Sequence, residues 1–181
     1  VKMAVDAHGS VDDRSLEAQR FTSEVCLDHV HALRKECDAV LVGVETVVRD
    51  NPQLTVRRVE TERQPLRVII DPNQRTPEDA LLLNDEHQTL VMGKEFNSLP
   101  ALLNLLGDQD IQRLMVEGGP TTIGNFLDQG LVDEFYLIHS KVTHQQPVAS
   151  NIDAERLSSA GLSHTTTEKW GDETVHLWTR H

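Results

Sequence analysis

The sequence predicts an α/β protein: an open, mostly parallel sheet in three layers, helices on both faces, and an antiparallel C-terminal hairpin. Three observations predict it. Short apolar runs alternate with stretches of helical periodicity, and strand–helix–strand repetition implies right-handed crossovers between parallel strands. The last two apolar stretches, 163–169 and 173–179, instead flank Gly171-Asp172, a two-residue hairpin turn suited to an antiparallel edge. The length of 181 residues suits a single domain, residues 1–181, without internal repeats or low-complexity segments.

The elements follow in order. Lys2 to Val5 enters at once as a short strand. Ser23 stands as an N-cap before Glu24, and Val25, Cys26, His29, Val30, Leu33 and Cys37 fall on one face of the helix behind it. Ala39–Gly43 (AVLVG), Leu66–Ile70 (LRVII) and Thr89–Met92 (TLVM) are buried-strand runs bounded by turn residues. Leu99, Leu102, Leu103 and Leu106 have helical spacing, and Gly107 ends that helix. Leu114–Val116 is a strand that runs into Glu117-Gly118-Gly119-Pro120, ahead of a helix bearing Ile123, Phe126, Leu127 and Leu131. Phe135 to Val142 reads as a strand, and 57–65 and 143–160 read as loops.

Composition excludes several functions. Acids outnumber bases 29 to 17, for a net charge of −12, so the chain lacks the basic footprint that nucleic acid or an anionic membrane requires. No apolar run reaches the ~18 residues of a membrane span. The opening VKMAVDAHGS lacks the build of a signal peptide, so the expected location is the cytoplasm, or an organelle entered with a transit peptide since removed. Cys26 and Cys37 would stand about 16 Å apart on one helix, too far for a disulfide, and read as buried thiols. No CxxC or HExxH spacing supports a metal site.

Ligands of open α/β sheets bind where strands end and helix N-termini face outward. Three strand ends carry unusual residues. Val116 to Asn125 (VEGGPTTIGN) has two glycines for a sharp turn and Pro120 for a first helical turn whose free N–H groups suit an anion. A plain strand-to-helix turn uses the same residues. Gly43 to Pro52 places a hydroxyl, Thr46, three residues past a strand-end glycine, a weak phosphate motif by itself. Third, Arg49, Arg57, Arg58, Arg63 and Arg67 form a basic cluster in an acidic chain, and guanidinium forks match phosphate oxygens. A solvated loop accounts for Arg58 and Arg63; Arg57 closes the segment behind the Asp50-Asn51-Pro52 turn, and Arg34 can aim at the same place.

Together, HALRKECDAVLVGVETVVRDNPQLTVR (His31 to Arg57) and LMVEGGPTTIGNFLDQGLVDEFYLI (Leu114 to Ile138) closely resemble the pyrimidine reductase of riboflavin biosynthesis, with PLRVIID (Pro65 to Asp71) as a weaker third match. That enzyme is often the C-terminal half of a bifunctional deaminase/reductase and has a dihydrofolate-reductase-like fold. The resemblance implies NADPH-dependent reduction of 5-amino-6-(5-phosphoribosylamino)uracil to its ribitylamino product by a homodimer joined through its terminal strands. It implies cofactor contacts at Ala4, Thr46, Asp50, Pro72, Gly119, Pro120, Thr121, Thr122, Ile123, Gly124 and Asn125. Arg34, Leu54, Arg57 and Glu117 match positions that hold the ribose-phosphate substrate. Arg75, behind the third strand, is a candidate for the cofactor 2′-phosphate, with a solvated loop arginine as the alternative.

The chain also departs from the family pattern. The usual Ser-Leu-Asp-Gly after the first strand is Asp6-Ala7-His8-Gly9, and a common Ser-Gln-Trp-Ile-Thr is Ala18-Gln19-Arg20-Phe21-Thr22. These changes bear on the substrate. His8 puts an imidazole where the family has a carboxylate, and His8 and Glu117 are the candidate proton-handling groups; the catalytic residue itself is not fixed by the sequence. No deaminase segment with zinc ligands lies in these residues. Two other readings remain: a same-fold reductase of another pyrimidine or pterin, and a nucleotide-binding partner domain without turnover.

Overall fold

The computed structural model describes residues 1–13, 21–145 and 147–181. In chain order the elements are β1 (Lys2–Val5), β2 (Ser10–Asp13), α1 (Glu24–Lys35), β3 (Ala39–Gly43), α2 (Val44–Asp50), β4 (Leu66–Ile70), β5 (Thr89–Met92), α3 (Leu99–Gly107), β6 (Leu114–Val116), α4 (Pro120–Asp128), β7 (Glu134–His139), β8 (Pro147–Ala149), α5 (Ala154–Ser159), β9 (Leu162–Trp170) and β10 (Glu173–Arg180). The chain divides into two compact units, Val30–Val116 and Val1–His29 with Glu117–His181. Parallel strands and the antiparallel hairpin are both present, as the apolar runs and the Gly-Asp turn predict, and the mixed α/β class stands. Among the described residues no helix is long and apolar enough to cross a membrane.

The unit Val30–Val116 holds an all-parallel sheet in the order β5-β4-β3-β6. All five residues of β3 are buried, which is why its sequence is an unbroken apolar run rather than an alternating one. Helix α3 starts at Ser98, whose hydroxyl accepts the Ala101 N–H, and it buries Leu99, Leu102 and Leu106.

The other unit holds a mixed sheet, β1-β7-β10-β9, with β1 parallel to β7 and the rest antiparallel. Ile123, Phe126, Phe135, Ile138 and Leu157 fill its core. Gly171 has φ +64, and a Cβ there would lie 2.6 Å from Ser23 Oγ, so both conformation and space call for glycine. That same Ser23 caps α1: its Oγ accepts the Cys26 N–H (3.3 Å) and donates to Glu173 Oε2 (2.5 Å).

Several expectations need correction. The buried positions of the α1 region are Cys26, Val30, His31, Arg34 and Cys37, whereas Val25 is exposed and His29 stacks flat on Trp170 at 4.8 Å. Periodicity misplaced that face because a buried arginine and histidine take positions that hydrophobicity alone does not favour. Cys26 and Cys37 are buried thiols outside any disulfide, as expected, and burial, with Glu173 nearby, pushes the Cys26 thiol up to about 11. The strand foreseen over 135–142 ends at His139, and 143–160 holds β8 and α5. Asp153 accepts the Arg156 N–H as the N-cap of α5, a signal readable in the sequence. The pairing of β2 with β8 had no such signal.

Candidate functional site

In the unit Val30–Val116 the segment Leu54–Arg57 is rigidly held. Arg34, 7% exposed, donates from Nη1 to the Thr55 carbonyl at 2.7 Å. Gln64 brackets Val56, accepting its N–H at 2.7 Å and donating to its carbonyl at 2.8 Å. The Arg57 N–H donates to His31 Nδ1 at 3.1 Å. Leu54 is buried with φ +56, a left-handed conformation that costs a leucine about 1–2 kcal/mol, so the surrounding bonds must impose it. The exposed Arg57 guanidinium reaches Thr55 Oγ1 at 3.5 Å. Arg34, Leu54 and Arg57 are thus brought together around Thr55. Sequence reasoning missed His31 and Gln64, the second of which sits unmarked in a loop.

Two members of the basic cluster serve the fold instead. Arg67 is fully buried in β4; it donates to both Asp85 oxygens (2.7 and 2.6 Å) and to the carbonyls of Gln53 (3.0 Å) and His87 (2.6 Å). Arg63 pairs with Asp38 at 2.7 Å. That guanidinium, with N–H groups from Arg113 and Gln112, holds the Asp38 carboxyl below the usual range.

Past β3, Gly43 is the N-cap of α2, Thr46 is half-buried in its first turn, and Asp50 ends it. Asn51 closes the helix at φ +41, and its Oδ1 accepts the Leu81 N–H at 2.8 Å. Past β4, the buried Asp71 carboxylate accepts the N–H of Arg75 and both the N–H and hydroxyl of Thr76. Burial alone would raise its pKa; these hydrogen bonds outweigh burial and leave it lowered. Pro72 is exposed on this loop. The Arg75 head pairs with Glu45 Oε1 at 2.5 Å, an exposed contact of the kind worth about 0–1 kcal/mol.

In the unit Val1–His29 with Glu117–His181, Ala4 lies in β1 opposite Ile138. Asp6, fully buried, organises the next turn: Oδ1 accepts the N–H groups of His8 and Ser10, and Oδ2 that of His144, all within 2.9 Å. Burial opposes ionisation there, and the three amides outweigh it, so the pKa falls. The departure at position 6 therefore builds a loop. His8 is exposed in the turn, whereas Glu117 is held by Lys2 at 3.2 Å. Ala18 and Arg20 lie outside the described residues.

The glycine turn has two separate reasons. A Cβ on Gly118 would sit 2.8 Å from Thr122 Cβ, so close packing against α4 forbids it. Gly118→Ala should cost about 1–3 kcal/mol in urea unfolding, and an unchanged midpoint would refute that packing argument. Gly119 is the N-cap of α4 and brings no capping side chain of its own, and the N–H groups of a helix's first turn suit an anion. Pro120 opens the helix, Thr121 and Asn125 are exposed, Thr122 is half-buried, and a Cβ on Gly124 would meet nothing within 4 Å. Ile123 is fully buried, which leaves its backbone as the part able to meet a ligand. This donor set fits a nucleotide phosphate.

Residues 1–143 match the model of the RibD C-terminal domain. A reductase of Archaeoglobus fulgidus named for 2,5-diamino-6-ribosylamino-4(3H)-pyrimidinone 5′-phosphate is 35% identical, with 78% of this chain and 79% of that protein covered. Riboflavin biosynthesis protein RibD of Aquifex aeolicus is 34% identical, covering 93% of this chain and 51% of its own length. A solved Thermotoga maritima structure, a diaminohydroxyphosphoribosylaminopyrimidine deaminase/5-amino-6-(5-phosphoribosylamino)uracil reductase, superposes with a TM-score of 0.83 at 25% identity; it covers 99% of this chain and 55% of that one. The chain spans about half the length of the Aquifex and Thermotoga proteins.

Proposed function

Because the chain belongs to the RibD C-terminal domain family, we propose that residues 1–181 act as one reductase domain that converts 5-amino-6-(5-phosphoribosylamino)uracil to its ribitylamino product with NADPH. The observation that carries this reading is Arg57, exposed on a locked segment beside buried Arg34, in a chain of net charge −12. A phosphorylated substrate needs such a local reversal of sign. The start of α4 at Gly119, with Thr121 and Asn125, would hold cofactor phosphate.

Bound NADPH supplies the hydride. With the sugar opened to its imine, that hydride would reduce the C=N bond at C1′ while the adjacent nitrogen takes a proton. The protein's share is to bind, align and exclude water. Arg57 anchors the 5′-phosphate end, and Arg34 fixes the Thr55 carbonyl and hence the direction of Arg57. Glu117, held by Lys2, keeps the substrate-side role that the resemblance implies for it, as a hydrogen-bond acceptor. We place this activity in the cytoplasm and in a homodimer joined through the terminal strands; β9, hydrogen-bonded on one side among the described residues, offers an edge for it.

The name of the Archaeoglobus relative favours one second reading: reduction before deamination, with a 2-amino group where the uracil has oxygen. NADPH oxidation measured with both enzymatically prepared pyrimidines decides. Turnover of the uracil form supports the proposal, and turnover of the diamino form alone moves it to the second reading. NADPH binding without turnover of either would overturn both in favour of a non-catalytic domain.

A further inference from the structure

The sheet β1-β7-β10-β9 carries a feature that the reductase reading does not use. Register slips between β9 and β10: Leu177 faces Thr166, while Trp178 faces His164, so Thr165 is an extra residue, a β-bulge. On an unbroken strand His164 and Thr167, three apart, would point to opposite faces. The bulge brings them to one face, where His176 of β10, paired with Thr167, joins them. His164 Nε2 lies 3.0 Å from Thr167 Oγ1, Thr167 Oγ1 lies 3.0 Å from His176 Nδ1, and His176 Nδ1 lies 3.4 Å from His164 Nε2. Three polar atoms close a triangle.

We propose that His164 Nε2, Thr167 Oγ1 and His176 Nδ1 form a binding site for a divalent transition-metal ion of the zinc class. With zinc–nitrogen bonds of about 2.0–2.1 Å, two ligands of a tetrahedral ion stand roughly 3.3 Å apart, close to the separation of the two imidazole nitrogens. Among the described residues no three of His, Cys, Asp and Glu could hold a metal, and the third donor here is a hydroxyl. Water completes the shell, because His164 and Thr167 are exposed. Both imidazoles bind as neutral rings, with protons on His164 Nδ1 and His176 Nε2.

The surroundings support this. Trp178 packs edge-on against His164 at 5.4 Å, and His139 does the same against His176 at 5.4 Å, so both ligand rings are braced. The Lys169 ammonium is held by Thr174 Oγ1 at 2.5 Å. Imidazole donors select zinc, copper, nickel and cobalt over magnesium and calcium.

Zn²⁺ titrated against the purified chain, in competition with a chromophoric chelator, tests the site. One ion per chain is expected, with affinity falling about tenfold or more in His164→Ala and in His176→Ala. Co²⁺ added to the unmodified chain should broaden the ring resonances of both histidines, a reading that needs no variant to fold. Absence of binding, affinity unchanged in either variant, or Co²⁺ broadening at other histidines alone would overturn the proposal.

Discussion

Arg67→Ala is expected to destabilise the unit Val30–Val116 by about 3–5 kcal/mol, lowering its melting temperature by roughly 10 °C. Arg67 is fully buried in β4, and its guanidinium satisfies Asp85 and the Gln53 and His87 carbonyls together. Truncation removes those charge-assisted bonds and leaves a cavity at a fully buried position of β4. Lysine keeps the charge but not the fork, so Arg67→Lys should fall between the two. Acid gives a second reading of the same pair. Hydrogen bonding to Arg67 lowers the Asp85 pKa from 3.8 to about 2. A depressed carboxyl stabilises the fold fully above its unfolded value and loses that contribution as pH falls. The pair's share should therefore disappear between about pH 4 and 2, and Arg67→Ala should flatten that part of the stability profile. Equal urea midpoints for the variant and the unmodified chain would refute the buried role.

Arg67 also shows where the sequence stops being informative. It stands ten residues after Arg57 in the same basic stretch, and nothing local separates a buried cation from an exposed one. The difference lies in Asp85, eighteen residues further on, which the parallel pairing of β4 with β5 brings within reach. The parallel strands themselves were legible, because a strand covered on both faces must be apolar throughout. The hairpin was legible because Gly171 needs a positive φ. β2 and β8 were not: a two-stranded pair of three or four residues has no periodicity to read. In the site, the resemblance marked Leu54 without a reason, and the structure supplies one in a left-handed residue locked by its neighbours. Asp6 reads in sequence as a change at the reacting end; three converging amides make it a turn-builder.

Arg57→Ala is expected to weaken binding of the ribosylaminopyrimidine phosphate by roughly one to two orders of magnitude, with the KM for NADPH nearly unchanged. A charge-assisted hydrogen bond contributes about 1.5–3 kcal/mol, and each 1.4 kcal/mol is tenfold in affinity. The division of labour between the two arginines makes the test specific. Arg34 is 7% exposed and committed to the Thr55 carbonyl, so Arg34→Ala should loosen the segment and lose stability and affinity together. Arg57 is exposed, its guanidinium approaches Thr55 Oγ1 at 3.5 Å, and its backbone is fixed through His31. Arg57→Ala keeps the bonds that hold the segment through the Arg57 amide, Arg34 and Gln64, so its melting temperature should fall less than that of Arg34→Ala. Arg57→Lys should recover part of the loss, since a point charge reaches one phosphate oxygen where a fork reaches two. A variant that melts early while its substrate KM stays put would show that Arg57 braces the loop, and the phosphate would have to be held elsewhere.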